Sequence, residues 1–132
     1  MILVDTSVLI GFLRGDRTAS IEKFQEILDR GISYGISAFT FQEVLQGVSS
    51  EREFRELRDY LDTQTIYGLD QDKESHAGAA MLYLKTRKSG YTVRSIIDCL
   101  IAQTAIEHGL HLLHQDKDFE AMAKADKRLK FV

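Results

Sequence analysis

Four of the chain's 20 acidic residues, Asp5, Glu43, Asp98 and Asp116, sit where a carboxylate is out of keeping with its neighbours or its place in the pattern. Most of the others fall on stretches dense in Lys and Arg, where solvation and weak surface pairing account for them. Asp5 ends the apolar run "MILV" and is followed directly by two hydroxyl residues, Thr6 and Ser7. Asp116 follows the apolar "LHLLH", and Asp98 is embedded in "SIIDCLI", between Ile96 and Ile97 on one side and Cys99, Leu100 and Ile101 on the other. A carboxylate buried without a partner is costly, so Asp98 in particular needs something to pair with.

Each acid also has a simpler role open to it. Asp5 can cap the helix that the following residues begin. Thr40 and Glu43 fit the T-x-x-E capping box, although a cap and a ligand can share a helix N-terminus. In "HQDKDFEA" both acids can serve a turn or a cap; Asp118, directly before "FEAMA", is the better cap, which leaves Asp116 as the better site residue.

If the four acids converge, their repulsion is large: two unit charges about 4 Å apart cost on the order of 4 kcal/mol at an effective dielectric of 20. No cluster of Lys or Arg is interleaved with them, so shared protons or bound cations must offset it. An all-oxygen set suits the hard ions Mg²⁺ or Mn²⁺, with substrate phosphate completing the coordination. Such a site favours phosphodiester hydrolysis by a metal-activated water.

The segments between the acids are of the kind that would position them. "MILV", "YGIS", "TIYGL", "LHLLH" and "RLKFV" read as short strands, and helical periodicity fills the intervals. A helix over "TSVLIGFLRG" closes at Gly15, and "TASIEKFQEILDRG" places Ile21, Phe24, Ile27 and Leu28 inward. "SSEREFRELRDYLDT" puts Phe54, Leu57 and Leu61 on one face. The helix from Gln71 to Lys88 is expected to bury Ala77, Ala80, Met81 and Leu84, and "SIIDCLIAQTAIEHG" to bury Ile97, Leu100, Ile101 and Ala105. Strands alternating with helices predict an open parallel sheet with helices on both faces and ligands at the carboxyl ends of its strands. Asp5 and Asp116 should emerge at that edge, and Glu43 and Asp98 should lie in the first turns of helices that start beside it.

With 132 residues, no proline and no linker or repeat, the chain reads as one domain. A net charge of −3 argues against a dominant basic surface for duplex DNA, whereas an acidic cleft loaded with divalent cations still attracts phosphate. The single cysteine, Cys99, reads as a small core residue, and the apolar start, broken by Asp5, Gly11 and Arg14, reads as neither a signal peptide nor a membrane span. A reducing cytoplasm is the expected compartment. His108, His111 and His114 recur every three residues, but Gly109 should break the helix between the first two, which argues against zinc. Arg87, Lys88 and Arg94 flank the loop before the Asp98 helix, either as a solvated helix end or as a rim for an RNA backbone. Neither G-x-G-x-x-G nor the P-loop pattern is present.

The segments "ILVDTSVLI", "TFQEVLQG", "SIIDCLIAQTA" and "LLHQDKDFEAMA" resemble, in order and spacing, the acidic motifs of the PIN-domain ribonucleases, specifically the VapC-like toxins of type II toxin–antitoxin pairs. The resemblance runs from Met1 almost to Val132. It implies a single PIN domain over residues 1–132, a three-layer α/β/α sandwich around a mostly parallel sheet. It further implies a Mg²⁺- or Mn²⁺-dependent endoribonuclease with Asp5, Glu43, Asp98 and Asp116 in the acidic pocket, homodimerisation, and inhibition by a cognate antitoxin. In that pocket Asp5, Asp98 and Asp116 would hold the metal, and Glu43 would orient a water or hold a second ion. Thr6 or Ser7 would support them by orienting a carboxylate or water, with Asp118 also supporting. His114 departs from the pattern, since many relatives carry Thr or Ser there. Two other readings are a non-catalytic PIN-like module that binds RNA or protein, which loss of the acids would signal, and a phospho-receiver domain. The latter requires an acceptor Asp ending a central strand and a Lys ending a late strand, where this chain has "YGIS" and "HQD".

Overall fold

The first strand, β1 (Ile2–Val4), runs straight into helix α1 (Thr6–Arg14), with Asp5 alone between them. The computed structural model describes residues Met1 to Val132. After α1 come α2 (Ala19–Asp29), β2 (Tyr34–Ser37), α3 (Ala38–Gln46), α4 (Glu51–Leu61), β3 (Thr65–Tyr67) and α5 (Lys73–Lys88). Then follow α6 (Ile96–Glu107), β4 (His111–Leu113), α7 (Lys117–Ala125) and β5 (Lys130–Phe131). Short oxygen-bearing side chains start most of the helices: Asp5, Thr18, Ser37, Ser50, Ser95 and Asp116 each accept a first-turn backbone N–H. Gly15 stops α1 with φ at 85°, a left-handed conformation that glycine adopts without steric cost, and its N–H returns to the carbonyls of Gly11 and Phe12.

The strands form one parallel sheet in the order β3-β2-β1-β4-β5. From β1 the chain winds outward through β2 and β3, then returns to the other side of β1 for β4 and β5. The order therefore reverses between β1 and β4, the position at which open α/β sheets leave a crevice at their carboxyl ends.

Alternation along the strands divides the core in two. Leu3 and Leu112 face a cluster completed by α5, α6 and α7, including Leu82, Ile101, Ala105, Phe119 and Met122. Val4, Leu113 and Ile36 face the other way, onto Val8, Leu9, Ile21, Phe24, Val44 and Leu61 from α1 to α4. The result is the three-layer α/β/α sandwich expected from the pattern. No helix is long and apolar enough to cross a membrane.

Several local expectations are corrected. On α5 the buried residues are Ser75, Ala79, Leu82 and Thr86, while Ala77, Ala80 and Met81 are exposed and Leu84 is half-buried. Both stripes have helical spacing. The buried one contains two hydroxyl residues that apolar periodicity discounts, yet Thr86 satisfies its hydroxyl on the Leu82 carbonyl. Gly78 also permits close approach, since a Cβ there would meet the Gln103 amide at 2.6 Å. On α6, Ile101 and Ala105 are buried as expected, but Ile97 and Leu100 only partly; Cys99, Ala102, Gln103 and Thr104 complete a helix enclosed on most sides. On α4, Leu61 is fully buried and Leu57 partly, whereas Phe54 is exposed. The helix after β2 is capped by Ser37 and not through a Thr40–Glu43 box. It therefore starts earlier than that box requires, and Glu43 falls in its second turn.

Gly35 in β2 is a position where the sheet tolerates no side chain. A Cβ there would lie 2.8 Å from the Thr65 carbonyl oxygen and 2.5 Å from Tyr67 Cε2. Gly35→Ala is expected to destabilise the protein by about 1–3 kcal/mol, as overpacking against a fixed backbone does, measurable as a lower midpoint in urea denaturation.

Candidate active site

Asp5 combines the two roles open to it. Its Oδ2 accepts the Ser7 N–H at 3.1 Å and the Ser7 hydroxyl at 2.5 Å, capping α1. Its Oδ1 is buried with no hydrogen-bond partner. The residue is 3% exposed, and burial raises its pKa to about 6 against the opposing pull of the Ser7 bonds, with repulsion from Glu43 adding to the rise. The Asp5 N–H donates to the Leu113 carbonyl, so the carboxylate is held by the central β1–β4 pairing itself.

Glu43 reaches the same edge through hydroxyls. The Thr6 Oγ1 lies 2.7 Å from Glu43 Oε1 and 2.9 Å from Thr40 Oγ1, which is itself 3.2 Å from Ser37 Oγ. A hydroxyl has one proton to give, and the carboxylate is the stronger acceptor. The consistent direction is Ser37 to Thr40 to Thr6 to Glu43. Thr6 and Ser7 thus serve different acids, Glu43 and Asp5 respectively.

Asp98, Asp116 and Asp118 present oxygens that all lie within 4.8 Å of one another. Asp98, in the first turn of α6, is pushed up to about 7, first by burial and then by repulsion from Asp5, Asp116, Asp118 and Glu43. Asp5, Glu43 and Asp116 thus each act electrostatically on Asp98, and Glu43 also on Asp5. Asp116 is the residue that caps α7, accepting the Asp118 N–H at 3.0 Å, so the expected assignment of that cap to Asp118 is reversed. The helix begins one residue after Asp116, which puts Asp118 inside the first turn with its side chain turned inward.

Asp118 is 1% exposed and fully engaged. It accepts the Tyr91 hydroxyl at 2.5 Å and the Arg94 N–H at 3.1 Å, and these bonds, with the Arg94 charge, hold its carboxyl below the usual range. The Arg94 guanidinium reaches Asp116 Oδ1 at 3.2 Å and Asp118 Oδ1 at 3.5 Å. Of the three cations expected at the rim, Arg94 alone touches the acids. Arg87 lies over the Tyr83 ring, 5.6 Å from its centroid, and Lys88 is exposed at the end of α5.

Three further residues support the acids: Gln115 and Tyr91, which residue type and spacing do not mark, and His114, noted in the sequence only as a departure from the family pattern. His114 Nδ1 accepts the Asp116 N–H at 3.1 Å, and its ring packs against Phe119 and Phe131, with centroids 5.2 and 4.3 Å away. Burial lowers its pKa, in keeping with a neutral ring that accepts at Nδ1. Gln115 donates to the Ser7 carbonyl and accepts from Thr18 Oγ1, tying the end of β4 to α1 and α2. Tyr91 holds Asp118 as described. The partners of Gln115 and Tyr91 lie far away along the chain, and no local pattern marks them. His108 instead bonds the Gly68 carbonyl and His111 is exposed, so the three histidines do not converge. Burial raises Cys99 to about 11, which suits a core thiol rather than a nucleophile.

The acids fit a hard cation on their own chemistry. Asp5 Oδ1 is an orphaned buried acceptor, Asp98 is surrounded by burial and like charge, and Asp116 is shared with a guanidinium. Asp118, with its oxygens occupied by Tyr91 and Arg94, is the least available of the five.

Comparison with known proteins agrees with this geometry. The PIN domain family matches residues 2–125. The chain is 31% identical to ribonuclease VapC11 of Mycobacterium tuberculosis, over 94% of this chain and 92% of that protein. It is 34% identical to ribonuclease VapC4 of the same organism, over 91% and 89%. Among solved structures, a chain of a toxin-antitoxin complex from Klebsiella pneumoniae superposes with a TM-score of 0.69 at 27% identity, over 90% of each chain. With the acidic residues gathered at the β1–β4 edge and these relatives spanning nearly its whole length, the chain belongs to the PIN-domain family, among the VapC-like ribonuclease toxins.

Proposed function

We propose that this protein is a divalent-metal-dependent endoribonuclease acting as the toxin of a toxin–antitoxin pair, with residues 1–132 forming one PIN domain in the cytoplasm. The observation that carries the proposal is the acidic cluster at the sheet's reversal point: Asp98 and Asp116 offer oxygens within 4.8 Å, Asp5 and Glu43 both repel Asp98, and a buried Asp5 oxygen is left without a donor. Asp5, Asp98 and Asp116 would hold Mg²⁺ or Mn²⁺. Bound there, the ion supplies charge neutralisation for the phosphodiester and acidifies water at neutral pH.

The chain's own residues do the positioning. Ser7 and the β1–β4 pairing fix Asp5, His114 fixes the backbone of Asp116, and the Ser37–Thr40–Thr6 relay fixes Glu43. Glu43 would then orient the attacking water. The water oxygen would bond to phosphorus and give up a proton to solvent as the bridging P–O bond breaks, in line, while the departing ribose oxygen takes up a proton from solvent. The similarity to a toxin-antitoxin complex supports a protein antitoxin as partner. The exposed stripe Ala77, Ala80 and Met81 on α5 supports a homodimer, since exposed apolar faces at helical spacing mark interaction surfaces.

Asp5→Asn and Asp98→Asn are each expected to lower cleavage of total bacterial RNA by about 100-fold or more while leaving the circular dichroism spectrum unchanged. A chelator should stop the wild type and added Mn²⁺ restore it. Undiminished cleavage by both variants would exclude the site.

The charge crowding also sets a pH dependence. Asp5 and Asp98 have folded pKa values of about 6 and about 7 against an ordinary 3.8. Between about pH 4 and 7 the folded chain therefore holds protons that the unfolded chain releases, so these groups lower stability as pH rises through that window. In chelator, Asp98→Asn should show a shallower decline and melt about 2–6 °C above wild type at pH 8. An equal or lower melting temperature would contradict this account of the electrostatics.

A further inference from the structure

Arg94 is the one cationic side chain that forms an ion pair with any of the acids gathered at the carboxyl edge. Its two attachments differ in kind. The main chain is anchored, because the Arg94 N–H donates to Oδ2 of the buried Asp118, and the Tyr91 hydroxyl holds the same carboxylate. The side chain is 73% exposed, and its guanidinium reaches Asp116 Oδ1 at 3.2 Å across open solvent. An ion pair that exposed contributes little, so the head group can leave Asp116 at small cost while its backbone stays in place.

The Asp116 carboxylate is also one of those placed to hold a cation at this site, and its Oδ1 already accepts the Asp118 N–H. A guanidinium and a metal ion cannot both be accommodated there without strong like-charge repulsion. Released from Asp116, the guanidinium stays near Asp118, whose Oδ1 lies 3.5 Å from its Nε, and its exposed side chain leaves the terminal nitrogens free to meet another anion. The planar fork of arginine matches two phosphate oxygens at once.

We infer that Arg94 is an exchanging counter-ion: it neutralises Asp116 in the metal-free protein and transfers to a phosphate of the RNA backbone when the site is loaded. The inference rests on the metal-dependent ribonuclease reading above. It makes Arg94 a substrate-binding residue that opposes metal binding, a combination that a purely structural role does not produce.

Substitution at Arg94 keeps the backbone anchor and touches an exposed side chain, and Arg94→Lys retains the charge without the fork. In calorimetric titration without RNA, Arg94→Gln should bind Mn²⁺ about 2- to 5-fold more tightly than wild type, the change expected on losing one exposed competing ion pair. At saturating Mn²⁺ the same variant should cleave total bacterial RNA about tenfold more slowly or worse. In an Asp5→Asn background, binding of a fluorescent mixed-sequence single-stranded RNA should lose about 0.7 from its log–log salt slope with Arg94→Gln, while Arg94→Lys keeps the slope. Wild-type values in both assays, or weaker binding of Mn²⁺ and RNA together, would overturn the inference. Tighter Mn²⁺ binding with an unchanged RNA slope would overturn the transfer to phosphate. A wild type that binds Mn²⁺ and cleaves RNA while Arg94→Gln behaves identically refutes the role of Arg94 alone; a wild type that binds no Mn²⁺ refutes the metal-dependent reading and the inference with it.

Discussion

Mutual repulsion among carboxylates at the ends of two adjacent central strands is the constraint on which the rest of this structure depends. Asp5 follows β1 and Asp116 lies just beyond β4, and the parallel pairing of those strands brings the two together by construction. The fold offsets the repulsion unevenly. Both oxygens of Asp118 are satisfied by Tyr91 and the Arg94 N–H beside the Arg94 charge, Asp116 meets the exposed Arg94 guanidinium, and only one oxygen of Asp5 is satisfied, by Ser7. Asp98 has burial and like charge around it, and so retains the largest demand for a proton or a cation. A site left frustrated in this way is a common signature of function, since a protein selected for stability alone would remove the charge.

Holding such a site requires stiffness elsewhere. β1 is buried on both faces, Leu3 against one core and Val4 against the other, and β4 repeats the arrangement with Leu112 and Leu113. The loop after β4 is then fastened from three directions: His114 packs on Phe119 and Phe131, Gln115 bridges α1 and α2, and Ser20 donates to the His114 carbonyl. These contacts leave little freedom in the backbone from which Asp116 projects. The Arg94 side chain, by contrast, is exposed and meets the cluster only through its ion pairs with Asp116 and Asp118.

Much of the architecture was legible from local chemistry. Strand runs bounded by helical periodicity implied a parallel α/β sheet, glycines marked helix ends, and apolar neighbours singled out Asp98. The failures share a cause, which is that local signals were nearly balanced. On α5 two stripes competed, and the buried one carries Ser75 and Thr86, whose hydroxyls find partners within the fold. The Thr40–Glu43 spacing satisfied a capping pattern, but Ser37 at the end of β2 took the cap and freed Glu43 to meet Thr6. Asp118 looked like a cap and is instead a buried acceptor inside the first turn.

By itself the sequence determined which residue types were available at which elements: acids at strand ends and helix starts, hydroxyls beside Asp5, a single cysteine in an apolar helix. Those properties follow from short-range periodicity and from the desolvation cost of isolated charge. Which acids share partners, which oxygen of Asp5 is left without one, and that Arg94 rather than Arg87 or Lys88 meets the cluster were decided only by the tertiary structure. Each depends on contacts between residues widely separated along the chain, such as Thr6 with Glu43, Tyr91 with Asp118 and Arg94 with Asp116, and no local pattern encodes a distance across the fold.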